Sequence, residues 1–387
     1  MRILYCAIDQ QVPGNTGGSV HVRAAAEGLA ARGHEVHVLA RLGGKAFPEG
    51  RVFWHRLEPL FGAVRLRFAR APQVLSMARR LRPDAIIERY YNFGGEGMIA
   101  ARRTGALGVL EINAPAIDYP RSPKRLLDRA FLVQPMRRWR DWQCASADLL
   151  VTPIAAIVPA WIPRERIVET EWGADTERFH PGAQGRVPFA REAGDTIAVF
   201  AGAFRPWHGA VRLVDAIRRL RARGVRPIKA VLIGDGPEWP DTRQAAGGID
   251  GVTFTGAVAH EDMPAALAAA DIGVAPFDVA AHPSLLLGFY WSPLKIFEYM
   301  ASGLPVVAPA IDGMRRILAN GREGLLYDPA DADGLAKALE RLLDPGERLR
   351  LGTAARARVV SDFSWARHCE TLDTAMLAAL ARRGHIV

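Results

Sequence analysis

Short apolar runs alternate with amphipathic stretches along this chain, and the alternation runs through twice. Strands apolar on both faces must be covered by helices on both sides and joined by long crossovers. That restricts the chain to doubly wound parallel α/β architecture. The first cycle predicts strands at Arg2–Ile8, Glu35–Ala40, Val52–Leu57, Asp84–Glu88, Leu107–Ile112, Asp148–Thr152 and Arg166–Glu169, with a helix from about Val20 to Arg32. The second predicts strands at Thr196–Ala201, Ile228–Ile233, Val252–Thr255, Asp271–Ala275 and Pro305–Ala308, a helix at Ala210–Arg223, and helices to the end. Glu171 to Arg191, rich in Gly and Pro, reads as a linker. The expected domains are residues 1–180 and 181–362, with a closing helix over 363–387. Rossmann-like halves carry their ligand crevices at the carboxyl ends of the strands. If the two crevices face each other, the active site is the cleft they share.

One stretch of the second cycle carries chemistry. In Gly288-Phe-Tyr-Trp-Ser-Pro-Leu-Lys-Ile-Phe-Glu-Tyr-Met-Ala-Ser-Gly-Leu-Pro-Val-Val-Ala308, Ser292 reads as an N-cap and Pro293 as the first helical position. Gly303 ends the helix. Leu294, Phe297 and Ala301 share a core-facing side, and Lys295 and Glu298 are neighbours on an adjacent face. The helix start offers free N–H groups and a positive dipole end beside Lys295. Glu298, one turn on, can accept two hydroxyl hydrogen bonds. A phosphate at the helix mouth and a ribose diol on the glutamate would grip a nucleoside diphosphate. An exposed Lys295–Glu298 pair on an ordinary helix is the competing reading.

The 387 residues suffice for two domains, and 49% apolar with 24% charged residues is a folded, globular composition. No apolar run reaches the roughly 18–20 residues that span a bilayer, and Ile3–Ile8 is cut by Asp9 before it could form a signal-peptide core. Cys6, Cys144 and Cys369 form neither a disulfide framework nor a zinc spacing. The expectation is a cytoplasmic protein. The net charge of +9 is uneven. Arg65 to Arg82 holds six arginines and no acid, and Arg121 to Trp142 interleaves Arg and Lys with Leu126, Leu127, Phe131, Leu132, Trp139 and Trp142. Such segments suit an anionic membrane surface or a phosphorylated substrate, with a solvated face as the alternative. No nucleic-acid-binding motif accompanies them. Neither half carries Gly-x-Gly-x-x-Gly after its first strand, which argues against a dehydrogenase. The first loops are instead Gly14-Asn-Thr-Gly-Gly18 and Gly202-Ala-Phe-Arg-Pro-Trp-His-Gly209.

With these motifs the chain resembles the GT-B-fold retaining glycosyltransferases of family four, over nearly its whole length. The resemblance rests on Gly17-Gly18-Ser-Val-His21, Gly-His-Glu-Val from Gly33, Trp172-Gly173-Ala-Asp175-Thr-Glu-Arg-Phe179, Ile233-Gly-Asp-Gly-Pro237, Phe254-Thr-Gly256, the Ser-Pro-Leu-Lys-Ile-Phe-Glu-Tyr-Met segment and Phe363-Ser-Trp365. It implies two Rossmann-like domains facing across a cleft and a last helix crossing back to the first. It also implies a nucleotide-sugar donor, a saccharide or lipid-linked acceptor, no separate cofactor and no metal. Two positions depart from the family pattern. The donor-phosphate loop usually carries Arg and Lys where this chain has Ala203 and His208, so Arg205, His208 and Lys295 are the replacement set. The family pairs two glutamates on the later segment. Glu298 stands at the second, and Tyr290 at the first.

The implied donor-binding positions are Gly17, Gly18, His208, Gly209, Gly234, Ser292, Pro293, Leu294 and Glu298. The implied catalytic positions are Asn113, Glu111, Arg205 and Lys295. Asn113 stands where relatives place a sugar-contacting histidine. Glu111 is open between a nucleophile and a carboxylate bonded to backbone, and His21 between a cleft contact and a buried histidine. The chain is read as lacking a metal-binding Asp-x-Asp, so cations and a helix start would stabilise the leaving diphosphate. Front-face attack by the acceptor would give retention. A nucleotide-sugar epimerase and a non-catalytic nucleotide binder are the rival readings.

Overall fold

The computed structural model describes residues 1–387 except 15, 44–49, 120–121, 132, 283–284, 286 and 385–387. Asn15 of the first loop, and Arg121 and Leu132 of the second basic segment, therefore lie outside the described residues. The chain forms two compact units. The first is Met1–Trp172 with Tyr290–Ser292 and Trp365–Val387, and the second is Gly173–Phe289 with Pro293–Ser364. Most of the expected linker thus belongs to the second unit. Phe179 is buried there, and the Arg356 guanidinium donates to the carbonyls of Phe179 (2.8 Å) and Thr176 (3.0 Å).

The first unit holds a parallel sheet of β1 (Arg2–Val12), β2 (Glu35–Leu42), β3 (Val52–Arg56), β4 (Ala85–Arg89), β5 (Leu107–Glu111), β6 (Leu149–Thr152) and β7 (Ile167–Glu169), in the order β3-β2-β1-β4-β5-β6-β7. Side chains of a strand alternate between faces, and β1 uses both. Ile3, Tyr5 and Ala7 pack with Val22, Ala25 and Leu29 of the helix Gly17–Ala31. Leu4, Cys6 and Ile8 pack with Val74, Ala78 and Ala100 on the other side. The last helix, Trp365–Arg382, closes the first of these cores with Cys369, Leu372 and Met376. It approaches closely because Gly28 has no side chain: a Cβ there would lie 2.5 Å from Cys369 Sγ.

The second unit holds β8 (Thr196–Ala201), β9 (Ile228–Ile233), β10 (Val252–Gly256), β11 (Ile272–Val274), β12 (Val306–Pro309) and β13 (Gly324–Tyr327), in the order β10-β9-β8-β11-β12-β13 and all parallel. β13 falls in the region expected to be helical throughout. In both units the order reverses beside the first strand, the switch point where ligands of such sheets sit. The helix Leu294–Ala301 covers one face of this second sheet. Phe297, Tyr299 and Met300 are buried, whereas Leu294 is only half-buried. The Tyr299 hydroxyl accepts the Ala201 N–H at 2.7 Å, which ties the helix to the carboxyl end of β8.

Candidate functional site

In the second unit, three strand ends converge. Gly202, just after β8, donates its N–H to Ile233 (3.0 Å), and Gly234, just after β9, donates to Gly256 (2.8 Å). A Cβ on Gly234 would fall 2.0 Å from the Gly202 carbonyl oxygen, and its φ of +126° is glycine's own region. The loop then turns through Arg205 to Gly209, which at φ +66° occupies the N-cap of the helix Ala210–Ala222. The Gly202 surface is met by Lys295: a Cβ on Gly202 would sit 3.1 Å from Lys295 Nζ.

Lys295 Nζ lies 4.3 Å from the Phe200 ring centre and 5.4 Å from that of Phe277. It is enclosed and makes no hydrogen bond. Burial outweighs the attraction of Glu298 and pulls the ammonium down to about 7. Burial lifts Glu298 to about 7 as well, opposed by the charges of Arg178 and Lys295. An enclosed cation without a partner is costly to keep and is relieved by an arriving anion. This is not the ordinary surface pair that the sequence also allowed.

Two expected members of the phosphate loop behave differently from each other. Arg205 is exposed, with its guanidinium 5.8 Å from the Trp207 ring centre. His208 Nδ1 donates to the Ala203 carbonyl at 2.5 Å. Burial and nearby Lys295 hold that ring down at about 3, so it is neutral and brings geometry to the loop, not charge. Ser292 is corrected. Pro293 occupies the N-cap of the helix that starts at Leu294, and no side chain caps it. The Ser292 hydroxyl instead donates to Glu171 (2.5 Å) and accepts the Trp172 N–H (3.0 Å), all within the first unit. Tyr290 belongs there too. Among the described residues, none accepts the N–H groups of Leu294 and Lys295 at the helix mouth. Arg178, quoted in a motif but given no role, bears electrostatically on Glu298 and is fixed by donating to the His260 carbonyl at 2.6 Å.

In the first unit, Gly17 and Gly18 form the first turn of the helix Gly17–Ala31, capped by the Thr16 hydroxyl accepting the Ser19 N–H at 3.3 Å. His21 is buried and stacks on Trp172, ring centres 4.5 Å apart and 9° from parallel. It is a core histidine. Glu111 is also buried, and its Oε2 accepts from the Tyr5 hydroxyl at 2.6 Å, so its anchor is a phenol, not backbone. Burial raises its carboxyl to about 7 against the nearby Arg89 charge. Asn113 is aimed by Trp172, whose indole N–H donates to Asn113 Oδ1 at 3.1 Å. Its Nδ2 is enclosed and without a partner. The sequence assigns Trp172 a place in a motif but no role, and none to Arg89, since their roles rest on pairings remote in sequence.

His21, Glu111 and His368 offer three ligand atoms within 4.8 Å of one another. Their protonation fits hydrogen bonding better than a metal. Arg89 can only donate, and its Nη1 is 2.5 Å from His21 Nδ1. Nδ1 therefore accepts, and Nε2 carries the hydrogen that faces Glu111 Oε1 at 3.5 Å. A cation on Nε2 would turn an N–H of His21 against Arg89. His368 donates Nδ1–H to the Glu171 carbonyl at 2.9 Å, and burial holds it neutral, down to about 4. The chain does spell one Asp-x-Asp, Asp331-Ala-Asp333. There Asp331 accepts from the Asp333 N–H (2.9 Å) and pairs with Lys337 (2.9 Å), and Asp333 pairs with Arg219 (3.3 Å), a local turn before the helix Gly334–Arg341.

Two parallel-sheet Rossmann-like units of this kind define the GT-B fold. A solved glycosyltransferase from Rickettsia africae superimposes with a TM-score of 0.74 at 15% identity, covering 98% of both chains. Residues 15–178 match the family Glycosyltransferase Family 4, and residues 195–345 match the family Glycosyl transferases group 1. The chain is thus similar to group 1 glycosyltransferases in both of its halves. It is 34% identical over 226 residues to an MMP alpha-(1->4)-mannosyltransferase of Mycolicibacterium hassiacum, covering 57% of this chain and 49% of that one. It is 30% identical over 200 residues to a GDP-mannose-dependent alpha-(1-6)-phosphatidylinositol monomannoside mannosyltransferase of Mycobacterium tuberculosis, covering 50% and 51%. The chain thus spans about half the length of these two relatives.

Proposed function

We propose that the protein is a glycosyltransferase that moves a sugar from a nucleotide-diphosphate donor to a saccharide or lipid-linked acceptor, with retention and without a metal, in cell-envelope or exopolysaccharide synthesis. The observation that carries this reading is the enclosed, unpartnered Lys295 ammonium against Gly202, with Glu298 one helical turn on. In this reading the diphosphate lies over Gly202, Gly209 and Gly234, and takes charge from Lys295 and Arg205 and hydrogen bonds from the N–H groups at Leu294 and Lys295. Glu298 accepts from the ribose diol. As the sugar–phosphate bond breaks, charge builds on the departing phosphate, where the two cations stabilise it. That phosphate oxygen assists deprotonation of the acceptor hydroxyl, which attacks from the same face. In the first unit, Asn113, aimed by Trp172, offers a free Nδ2 donor suited to a sugar hydroxyl, and Glu111 accepts from Tyr5 and faces His21.

The test is calorimetry of GDP and UDP binding to wild type and Glu298→Ala. Loss of the carboxylate should weaken binding by roughly 1.5–3 kcal/mol, the scale of hydrogen bonds to a charged group. Equal affinity removes Glu298 from the site. The neutral, inward-bonded His208 favours a second reading, nucleotide binding without turnover. Tight nucleotide binding with no sugar transfer to any acceptor would select it. The names of the relatives put GDP-mannose first among donors to try.

A further inference from the structure

Not all of the arginines in the two basic segments are at the surface. Arg67 is fully buried, paired with Glu96 (2.6 Å) and Asp9 (2.8 Å), and Arg140 is buried against Asp118 (2.7 Å). Both are internal ties and are withdrawn from any surface role. Of the others, Arg65, Arg125, Arg129, Arg137 and Arg138 are exposed, as are Arg79, Arg80 and Arg82 at the end of the helix Ala71–Leu81, which are no part of this surface. The acids among them are used or weak: Asp128 is buried, and Asp141 stands 4.0 Å from Arg137. Apolar side chains are exposed beside the cations, with Phe61 at 95%, Leu126 at 61%, Val133 at 58% and Phe131 at 55%. Among the described residues, none covers them.

The two segments are fastened to one place. The Phe68 N–H donates to the Phe93 carbonyl (3.2 Å), and the Trp139 indole donates to the Gly94 carbonyl (2.9 Å). Both therefore flank the turn that follows β4. The helices Pro123–Ala130 and Pro135–Ser146 are clamped by Asp128, which accepts the N–H groups of Met136 (2.8 Å) and Arg137 (3.0 Å). This rigid hairpin leaves Leu126 and Phe131 outward at its end. Glu111 ends β5, the neighbour of β4, and Asn113 follows it, on the same carboxyl end of the sheet.

We propose that this rim of the first unit, built on the turn after β4 and carrying exposed arginines with Phe61, Leu126, Phe131 and Val133, docks on an anionic lipid bilayer. Cations flanking inserted apolar side chains are the chemistry of interfacial attachment, and a scattered soluble surface does not concentrate them in this way. No helix of the described residues is long and apolar enough to cross a membrane, so attachment is peripheral. The inference stands apart from the donor reading, because lipid and nucleotide binding are measured separately.

The full chain is sedimented with phosphatidylcholine vesicles, with and without phosphatidylglycerol, across a salt series. Wild type should partition at least tenfold better onto the anionic vesicles at low salt and be released as salt rises. Each arginine at such a surface is worth about fivefold, so Arg129→Gln/Arg137→Gln/Arg138→Gln should lose about a hundredfold. Leu126→Ser/Phe131→Ser should lose about tenfold even at low salt. Both variants should keep the wild-type melting temperature and nucleotide affinity. Equal partitioning onto both vesicle types, or unchanged binding by the arginine variant, overturns the proposal. So does self-association abolished by Leu126→Ser/Phe131→Ser without vesicle binding, which assigns the rim to a second copy.

Discussion

Burial brings Lys295 down and Glu298 up to about 7, and under the proposed donor site this gives nucleotide binding a pH dependence with a definite sign. Lys295 must be protonated to meet a diphosphate, and above about 7 the free protein loses that proton. Affinity should then fall by up to tenfold per pH unit until the pKa of the bound state is reached. Glu298 must be ionised to accept from a diol, and below about 7 it is increasingly protonated, so affinity should fall on the acid side as well. Calorimetry between pH 5.5 and about 9 should trace a bell centred near 7. Lys295→Arg should erase only its alkaline limb, because a guanidinium stays charged. A flat profile would mean that neither group touches the ligand. Arg178 helps to keep Glu298 ionised, so Arg178→Met should move the acid limb to higher pH and leave the alkaline limb in place.

At the scale of elements, packing decides which of these groups can act. Tyr299 fastens the helix Leu294–Ala301 to the end of β8 and so sets the distance from Lys295 to Gly202. In the first unit, the last helix depends on Gly28. Gly28→Ala would bring a methyl within 2.5 Å of Cys369 Sγ, so the change should cost about 1–3 kcal/mol as overpacking. A second change, Cys369→Ala, should restore part of that loss, since the two positions share one contact. Thermal unfolding of both variants checks this, and additive effects would separate the two sites. Most strands and the first helix of each unit were legible in the sequence, because strands buried on both faces leave continuous apolar runs. β13 was not: Gly324-Leu-Leu-Tyr327 is four residues long beside long helical stretches. The roles of Ser292, Glu111 and His21 were hidden for another reason. Each is fixed by a partner far away in sequence, Glu171, Tyr5 and Trp172, and local spacing says nothing about such partners. Arg67 and Arg140 looked like surface charge for the same reason.

At the scale of the whole molecule, the two sheets repeat one plan, yet their strand ends differ in kind. The second unit ends in glycines with an enclosed cation, suited to phosphate. The first ends in Glu111 and Asn113, held by a buried network of Tyr5, Arg89, His21 and Trp172. The order of the motifs carried the family resemblance, whereas donor base, sugar and acceptor depend on side chains that no motif names. The most direct test is turnover by the purified protein, followed by mass spectrometry, with GDP-mannose first and UDP- and ADP-sugars after it, each with lipid and saccharide acceptors. The expected result is nucleoside diphosphate released together with an acceptor that has gained the sugar, and neither product in the absence of acceptor. Nucleotide bound by the protein, but no sugar transferred from any donor to any acceptor, would contradict it.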